Sequence, residues 1–156
     1  MASRRQALIG ELGRSMQAYQ RSTQAFDDAV GRALGLNATD TRCLDWLVEG
    51  PRSMGDLATL TDLSSAAATT LVDRLAEKGF VRRVADPGDR RRVVVEMTEG
   101  GLQQVGRFYG PLVEEGIHLV DGLTIEQLEA MGEWLIAARE LTDRHRARVA
   151  AGSDGD

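Results

Sequence analysis

Apolar residues in this chain fall at helical intervals nearly everywhere and at β intervals in one place only. Leu12, Met16, Tyr19, Phe26, Val30 and Leu34 recur every three, four or seven positions, which predicts a long helix over residues 4 to 34 with a single apolar side. Gly35 ends it. Asn37-Ala38-Thr39-Asp40 offers a fresh cap, and Leu44, Leu47 and Val48 give a helix from about Thr39 to Glu49 its buried face. Gly50-Pro51 stops that helix. Ser53-Met54-Gly55-Asp56 has the form of a capping box with aspartate in the place of glutamate, opening a short helix from Ser53 to Leu60. After the turn Thr61-Asp62-Leu63, a helix starts at Ser64 or Ser65 and runs to Gly79, with Ser64, Ala68, Leu71, Val72 and Leu75 on one side.

The pattern then changes. Phe80 to Val84 and Arg92 to Met97 are short and β-branched, and they flank Asp86-Pro87-Gly88-Asp89, where proline presets φ and glycine permits a positive one. The pair predicts a hairpin. Helical spacing returns at Thr98-Glu99-Gly100 with Leu102, Val105, Phe108, Tyr109, Leu112, Val113 and Ile117, and breaks at Gly122. Thr124-Ile125-Glu126-Gln127 caps a last helix with Leu128, Met131, Leu135 and Leu141 as its stripe. The predicted order is α-α-α-α-β-β-α-α: a mostly α fold with a small β-hairpin wing. No internal repeat interrupts it. The first and last helices are long and one-sided, and are expected to pack together and against a second copy of the chain.

Composition narrows the class. The chain has 156 residues, 42% hydrophobic and 28% charged, enough for one ordinary domain with a core. No apolar run approaches the ~20 residues that span a bilayer. The N-terminal stretch is polar rather than an apolar signal core, so a cytoplasmic protein without membrane association is expected. One cysteine, Cys43, excludes an intramolecular disulfide and a multi-cysteine zinc site. A net charge of −5 leans against a general polyanion binder, but the distribution is uneven. Between Phe80 and Val95 stand five arginines against two acids.

Helix, turn, helix and an arginine-tipped ribbon make a DNA-reading arrangement. On the second helix of the unit, Ser64, Ser65, Ala66, Thr69, Thr70 and Arg74 are the candidate major-groove face. Hydroxyls serve as versatile partners, methyls can touch thymine, and Arg74 alone could make a bidentate base contact. The same positions also suit simple capping, since a helix N-terminus favours phosphate as well. Asp73 and Glu77 repel phosphates unless neutralised. Arg90 and Arg92 suit phosphate contacts. Cys43 sits on a core-facing helix, the place of an inert thiol. Glu114 and His118 stand one turn apart without a third ligand, so no metal and no cofactor is expected. Trp46 and Trp134 read as packing residues. No phosphate-binding loop, dinucleotide fingerprint, zincin or nucleophile-elbow motif occurs, which argues against an enzyme.

Asp89-Arg90-Arg91-Arg92-Val93-Val94-Val95-Glu96-Met97-Thr98 resembles the wing of the MarR family of bacterial transcription regulators, which carries an Asp-x-Arg followed by a strand and a Leu-Thr step. Asp89 and Arg91 match the pair, and Met97-Thr98 replaces Leu-Thr. Leu71 to Val81 resembles the family's recognition helix running into its first wing strand. The resemblance implies a homodimer of winged helix-turn-helix lobes. Residues 1–36 and 99–150 would form the dimerisation helices, 37–98 the DNA-binding lobe, and 151–156 a flexible tail. It implies a pseudo-palindromic double-stranded operator, and a repressor released by a small aromatic or anionic ligand held between the two regions. It also implies that Arg91 enters the minor groove and that Asp89 orients its guanidinium. The competing expectation is a winged-helix protein–protein adaptor that never meets DNA.

Overall fold

The computed structural model describes residues 2–86, 88–89 and 91–153. Its elements are α1 (Ala2–Leu34), α2 (Ala38–Val48), β1 (Arg52–Ser53), α3 (Met54–Thr61), α4 (Ser65–Glu77), β2 (Val81–Ala85), β3 (Val93–Met97), α5 (Glu99–His118) and α6 (Ile125–Ser153). The fold class is as expected: mostly helical, with a small antiparallel sheet. One strand escapes the sequence pattern. Residues 52–53 pair with β3, so the ribbon is a three-stranded sheet in the order β1-β3-β2. Two residues are too few to show alternation; only the partner strand reveals β1. In the main hairpin Val81 faces Met97 and Ala85 faces Val93.

Each cap does what its residue type allows. Asn37 accepts the N–H groups of Thr39 and Asp40, and Asp40 returns a bond to the Asn37 N–H. Ser53 and Asp56 form the equivalent box at α3, and Thr124 and Gln127 form one at α6. The turn between α3 and α4 closes on Asp62, a left-handed residue at φ 58°, with the Leu63 N–H reaching back to the Ala58 carbonyl. Gly79, at φ 80°, lets the chain leave α4 directly into β2.

The chain packs as two compact units, Met1–Tyr109 and Gly110–Asp156. The core of the first gathers Cys43, Leu44 and Leu47 from α2, Leu57 from α3, Leu71, Val72 and Leu75 from α4, and Phe80, Val81, Val95 and Met97 from the ribbon. Val48 does not join it. That residue is half exposed, because it lies beyond the stripe that Leu44 and Leu47 define. Ser64, expected on the packed side of α4, is exposed and caps the helix. Much of the N-terminal stripe of α1 lies uncovered in the single chain, Leu12 and Tyr19 included. In the second unit α6 exposes Leu128, Met131, Leu135 and Leu141. Residues 151–153 continue α6 rather than forming a tail, and the rest of that expected tail, 154–156, lies outside the described residues. Among the described residues no helix is long and apolar enough to cross a membrane.

Candidate nucleic-acid interface

The N-terminal half of α4 presents Ser64, Ser65, Ala66, Thr69 and Thr70 to solvent, while Ala68, Leu71, Val72 and Leu75 turn into the core. Ser64 accepts the Ala67 N–H at 3.2 Å and is the cap. The Thr69 and Thr70 hydroxyls donate back to the carbonyls of Ser65 and Ala66, at 2.9 and 3.2 Å. Their protons are therefore engaged within the helix, and what they offer outward is lone pairs and methyl groups. Such a face favours the amino groups of adenine or cytosine and the methyl of thymine.

Arg74 is placed differently from the sequence reading. Its guanidinium turns inward and pairs with Asp40, through Nε at 3.2 Å and through a shorter contact from Nη2 to the same carboxylate oxygen. Asp40 is 1% exposed and half of the α2 capping box as well. A carboxylate buried this deeply needs a cation, and Arg74 supplies it. In the free chain Arg74 is therefore held by Asp40, with its side chain still 38% exposed. The signal was present in the sequence: Asp40 lies four residues before Leu44 and seven before Leu47, on the core side of α2, where an unpaired charge cannot stay. Asp73, flagged as a repulsive charge, is paired with Arg83 of β2 at 2.7 Å. That pair neutralises it and ties the helix to the wing.

The wing sorts its arginines. Arg82 pairs with Glu96, its cross-strand partner, at 2.7 Å. Arg91 and Arg92 are exposed and enter no ion pair among the described residues. Arg90 and Pro87 lie outside the described residues. Asp89 does not grip the Arg91 guanidinium. Its carboxylate accepts the backbone N–H of Arg91 at 3.1 Å, as Asp86 accepts that of Gly88 at 2.8 Å. Two such aspartate turns, with the Arg92 N–H on the Asp89 carbonyl, set the shape of the tip and leave the Arg91 side chain free.

A cavity of about 600 Å³ lies in the same unit, between the C-terminal half of α1, α2 and the middle of α5. Val30, Leu34, Leu36, Leu44 and Val105 form its apolar walls; Asp27, Asp28, Asp45, Arg32 and Arg42 bring charge. Tyr109 donates to Asp27 at 2.7 Å and stands edge-on to Phe26. Burial, then the Asp27 bond, pushes the Tyr109 hydroxyl pKa up. Burial, with Asp27 and Glu49 adding negative charge, pushes Asp45 up. Cys43 is fully buried beside Asp40, and burial first and that charge second raise its thiol to about 11. His118 lies 3.0 Å from Asp121 rather than with Glu114 in a ligand set. Among the described residues no three metal-ligating side chains come together.

Comparison with known proteins extends the reading. Residues 34–92, spanning α2 to the wing tip, match the model of the MarR family. An uncharacterized HTH-type transcriptional regulator of Bacillus subtilis, YcgE, is 36% identical over 128 residues, covering 81% of this chain and 83% of that protein. Among solved structures, a MepR mutant from a multidrug-resistant S. aureus clinical isolate superposes with a TM-score of 0.65 at 19% identity, over 81% of this chain and 94% of its own. A second S. aureus MepR mutant, bound to an oligodeoxyribonucleotide, gives 0.54 at 20% identity with the same coverage. At these identities the structures speak to the fold.

Proposed function

The chain belongs to the MarR family, and from that premise we propose that it is a homodimeric, sequence-specific DNA-binding transcription regulator, a repressor released by a small molecule. The observation that carries this reading is the division of labour among the arginines. Arg74, Arg82 and Arg83 are committed to Asp40, Glu96 and Asp73, while Arg91 and Arg92 stand exposed at the tip of a shaped wing. Beside them α4 offers a small, hydroxyl-bearing face. Helix in the major groove and wing arginine in the minor groove is the corresponding docking. Phosphate contacts fall to Arg92 and to the N-terminus of α4.

Dimerisation is supported by the uncovered stripes on α1 and α6, whose leucines and aromatics are 40 to 65% exposed in one chain. Two lobes then read half-sites about one helical turn apart, as a pseudo-palindrome requires. The cavity is the place for the releasing ligand. Its apolar walls and Tyr109 suit an aromatic molecule, and its three carboxylates disfavour an anion. The working compartment on this reading is the cytoplasm.

The test is selection of duplexes from a random pool, followed by titration of the best one against salt. Specific binding whose log K falls with log salt, by about 0.9 per neutralised phosphate, supports the proposal. Failure to retain any duplex, with the fold intact by circular dichroism, turns the reading toward a protein–protein adaptor.

A further inference from the structure

Three acids that meet a second element of the first unit are answered by an arginine: Asp40 by Arg74, Asp73 by Arg83 and Glu96 by Arg82. The carboxylates of the cavity are not. Asp27 and Asp28 come from α1 and Asp45 from α2, and among the described residues none of the three enters an ion pair. Arg32 and Arg42 border the same cavity, but both are exposed and neither closes on a carboxylate. The donors that do arrive are neutral. Tyr109 of α5 donates to Asp27 Oδ1 at 2.7 Å, and the Gln24 amide donates to Asp28 at 3.0 Å. Among the described residues the Asp45 carboxylate accepts no hydrogen bond. After burial, the charge of Asp27 is what most opposes its ionisation. Two carboxylates from two helices thus stand in each other's field with no cation between them. The other walls of the same cavity are Val30, Leu34, Leu36, Leu44 and Val105.

We propose that this cavity takes a protonated organic amine, its ammonium group held by Asp27 and Asp45 and its aromatic body filling the apolar remainder. The reading of the cavity as the ligand's seat is the premise; charge and chemical class are what the carboxylates add. Each part of such a molecule has a counterpart. The ammonium N–H groups donate to the open lone pairs of Asp45 and to Asp27 Oδ2, which the Tyr109 bond leaves free. A positive charge there also removes the repulsion between the two carboxylates. The Tyr109 ring, fixed by Asp27 through its hydroxyl and by Phe26 at its edge, adds a π surface that attracts the same charge. A volume of about 600 Å³ is that of sites enclosing a drug-sized molecule. A bare metal ion does not suit it, since among the described residues no three metal-ligating side chains come together. An anion meets three carboxylates against two exposed arginines.

Three probes of nearly one shape separate charge from fit: 2-naphthylmethylamine, 2-naphthylmethanol and 2-naphthoate, titrated calorimetrically at neutral pH into the full chain without DNA. The amine should bind about tenfold more tightly than the alcohol, and the carboxylate weakest. The factor is modest because Asp45 is exposed and solvent screens its pairing. In Asp27→Asn/Asp45→Asn the amine and alcohol should differ by less than about twofold, with the alcohol's own affinity kept. Both changes are isosteric, and asparagine retains an acceptor for the Tyr109 hydroxyl. If the double variant does not fold, Asp45→Asn alone should cut the preference to about threefold, and an undiminished preference there overturns the proposal. Glu49→Gln, which removes an equal charge outside the cavity wall, should leave the preference intact; an equal loss there marks a general pull of the acidic surface and overturns it. Equal binding of amine and alcohol by the wild type, tightest binding of the carboxylate, or a preference that survives the double substitution overturns it too. If the alcohol binds as well as the amine, the charge assignment alone falls. If no probe binds, the cavity's standing as a ligand site falls with it. Duplex binding enters none of these results, so failure of the DNA reading shows separately.

Discussion

Two adjacent glycines at the start of α5 should respond to alanine with opposite sign. Gly101 is buried, and its N–H donates to Thr98 Oγ1 at 2.9 Å. A Cβ built on it lies 2.3 Å from the Phe80 carbonyl oxygen and 2.9 Å from the Phe80 carbonyl carbon and Cα. That backbone cannot swing aside. The Phe80 oxygen accepts the Thr98 N–H and the Phe80 nitrogen donates to the Leu75 carbonyl, both at 2.9 Å, and the phenyl ring is 2% exposed. Restoring contact distance requires α5 to retreat by roughly 1 Å, an overpacking that typically costs about 1–3 kcal/mol. Alanine returns at most about 1 kcal/mol of helix propensity. The net expectation for Gly101→Ala is a loss of about 1 kcal/mol, which lowers Tm by roughly 2–4 °C in a chain of this size. At Gly100 the nearest atom to a Cβ is Thr98 Oγ1 at 3.9 Å, so Gly100→Ala meets nothing and should hold or slightly raise Tm. Calorimetric melts of the three proteins, at one protein concentration because association shifts Tm, make the comparison. A Gly101→Ala melt that coincides with wild type, or the same direction of shift in both variants, would refute the packing argument.

Arg74→Met should destabilise the fold by about 2–4 kcal/mol, because it strands the Asp40 carboxylate without a cation in the interior. Adding Asp40→Asn should recover most of that loss. Urea midpoints of the two variants decide it, and a single variant as stable as wild type would refute that account of the pair. Arg91→Ala should weaken duplex binding by about 1–3 kcal/mol per subunit, and by more than Arg82→Ala, whose guanidinium is already held by Glu96. Asp89→Ala should weaken binding too, although it removes a negative charge, since its carboxylate sets the wing tip through the Arg91 N–H. Tighter binding at fixed salt would show that charge outweighs shape there. The Cys43 thiol, raised to about 11, should resist disulfide reagents at neutral pH until the protein unfolds. Labelling of the folded protein within seconds would contradict the burial, and peroxide-dependent DNA release abolished by Cys43→Ser would assign the thiol a sensing role.

The helices were legible because their chemistry is local. Caps at Asn37, Ser53, Ser64 and Thr124, breaks at Gly35 and Gly79, and 3.6-residue spacing of leucine and valine act within one or two turns of chain. The wing was legible for the same reason, since a turn signal between two β-branched runs is a short-range pattern. The family pattern in residues 71–98 belongs to this class too. The two-residue strand β1 was not legible, because it exists only through β3. The roles of individual charges were not legible either. Arg74, Arg82, Arg83 and Arg91 look alike in sequence. What separates them is whether an acid from a distant segment arrives at the guanidinium: Asp40 from 34 residues away, Glu96 from across the ribbon, Asp73 from the neighbouring helix. The cavity likewise draws its walls from α1, α2 and α5, which no single stretch of chain contains. Sequence fixes what a segment does with its own neighbours; burial and long-range pairing are properties of the assembled fold, and they decide which of several identical side chains remain free to act.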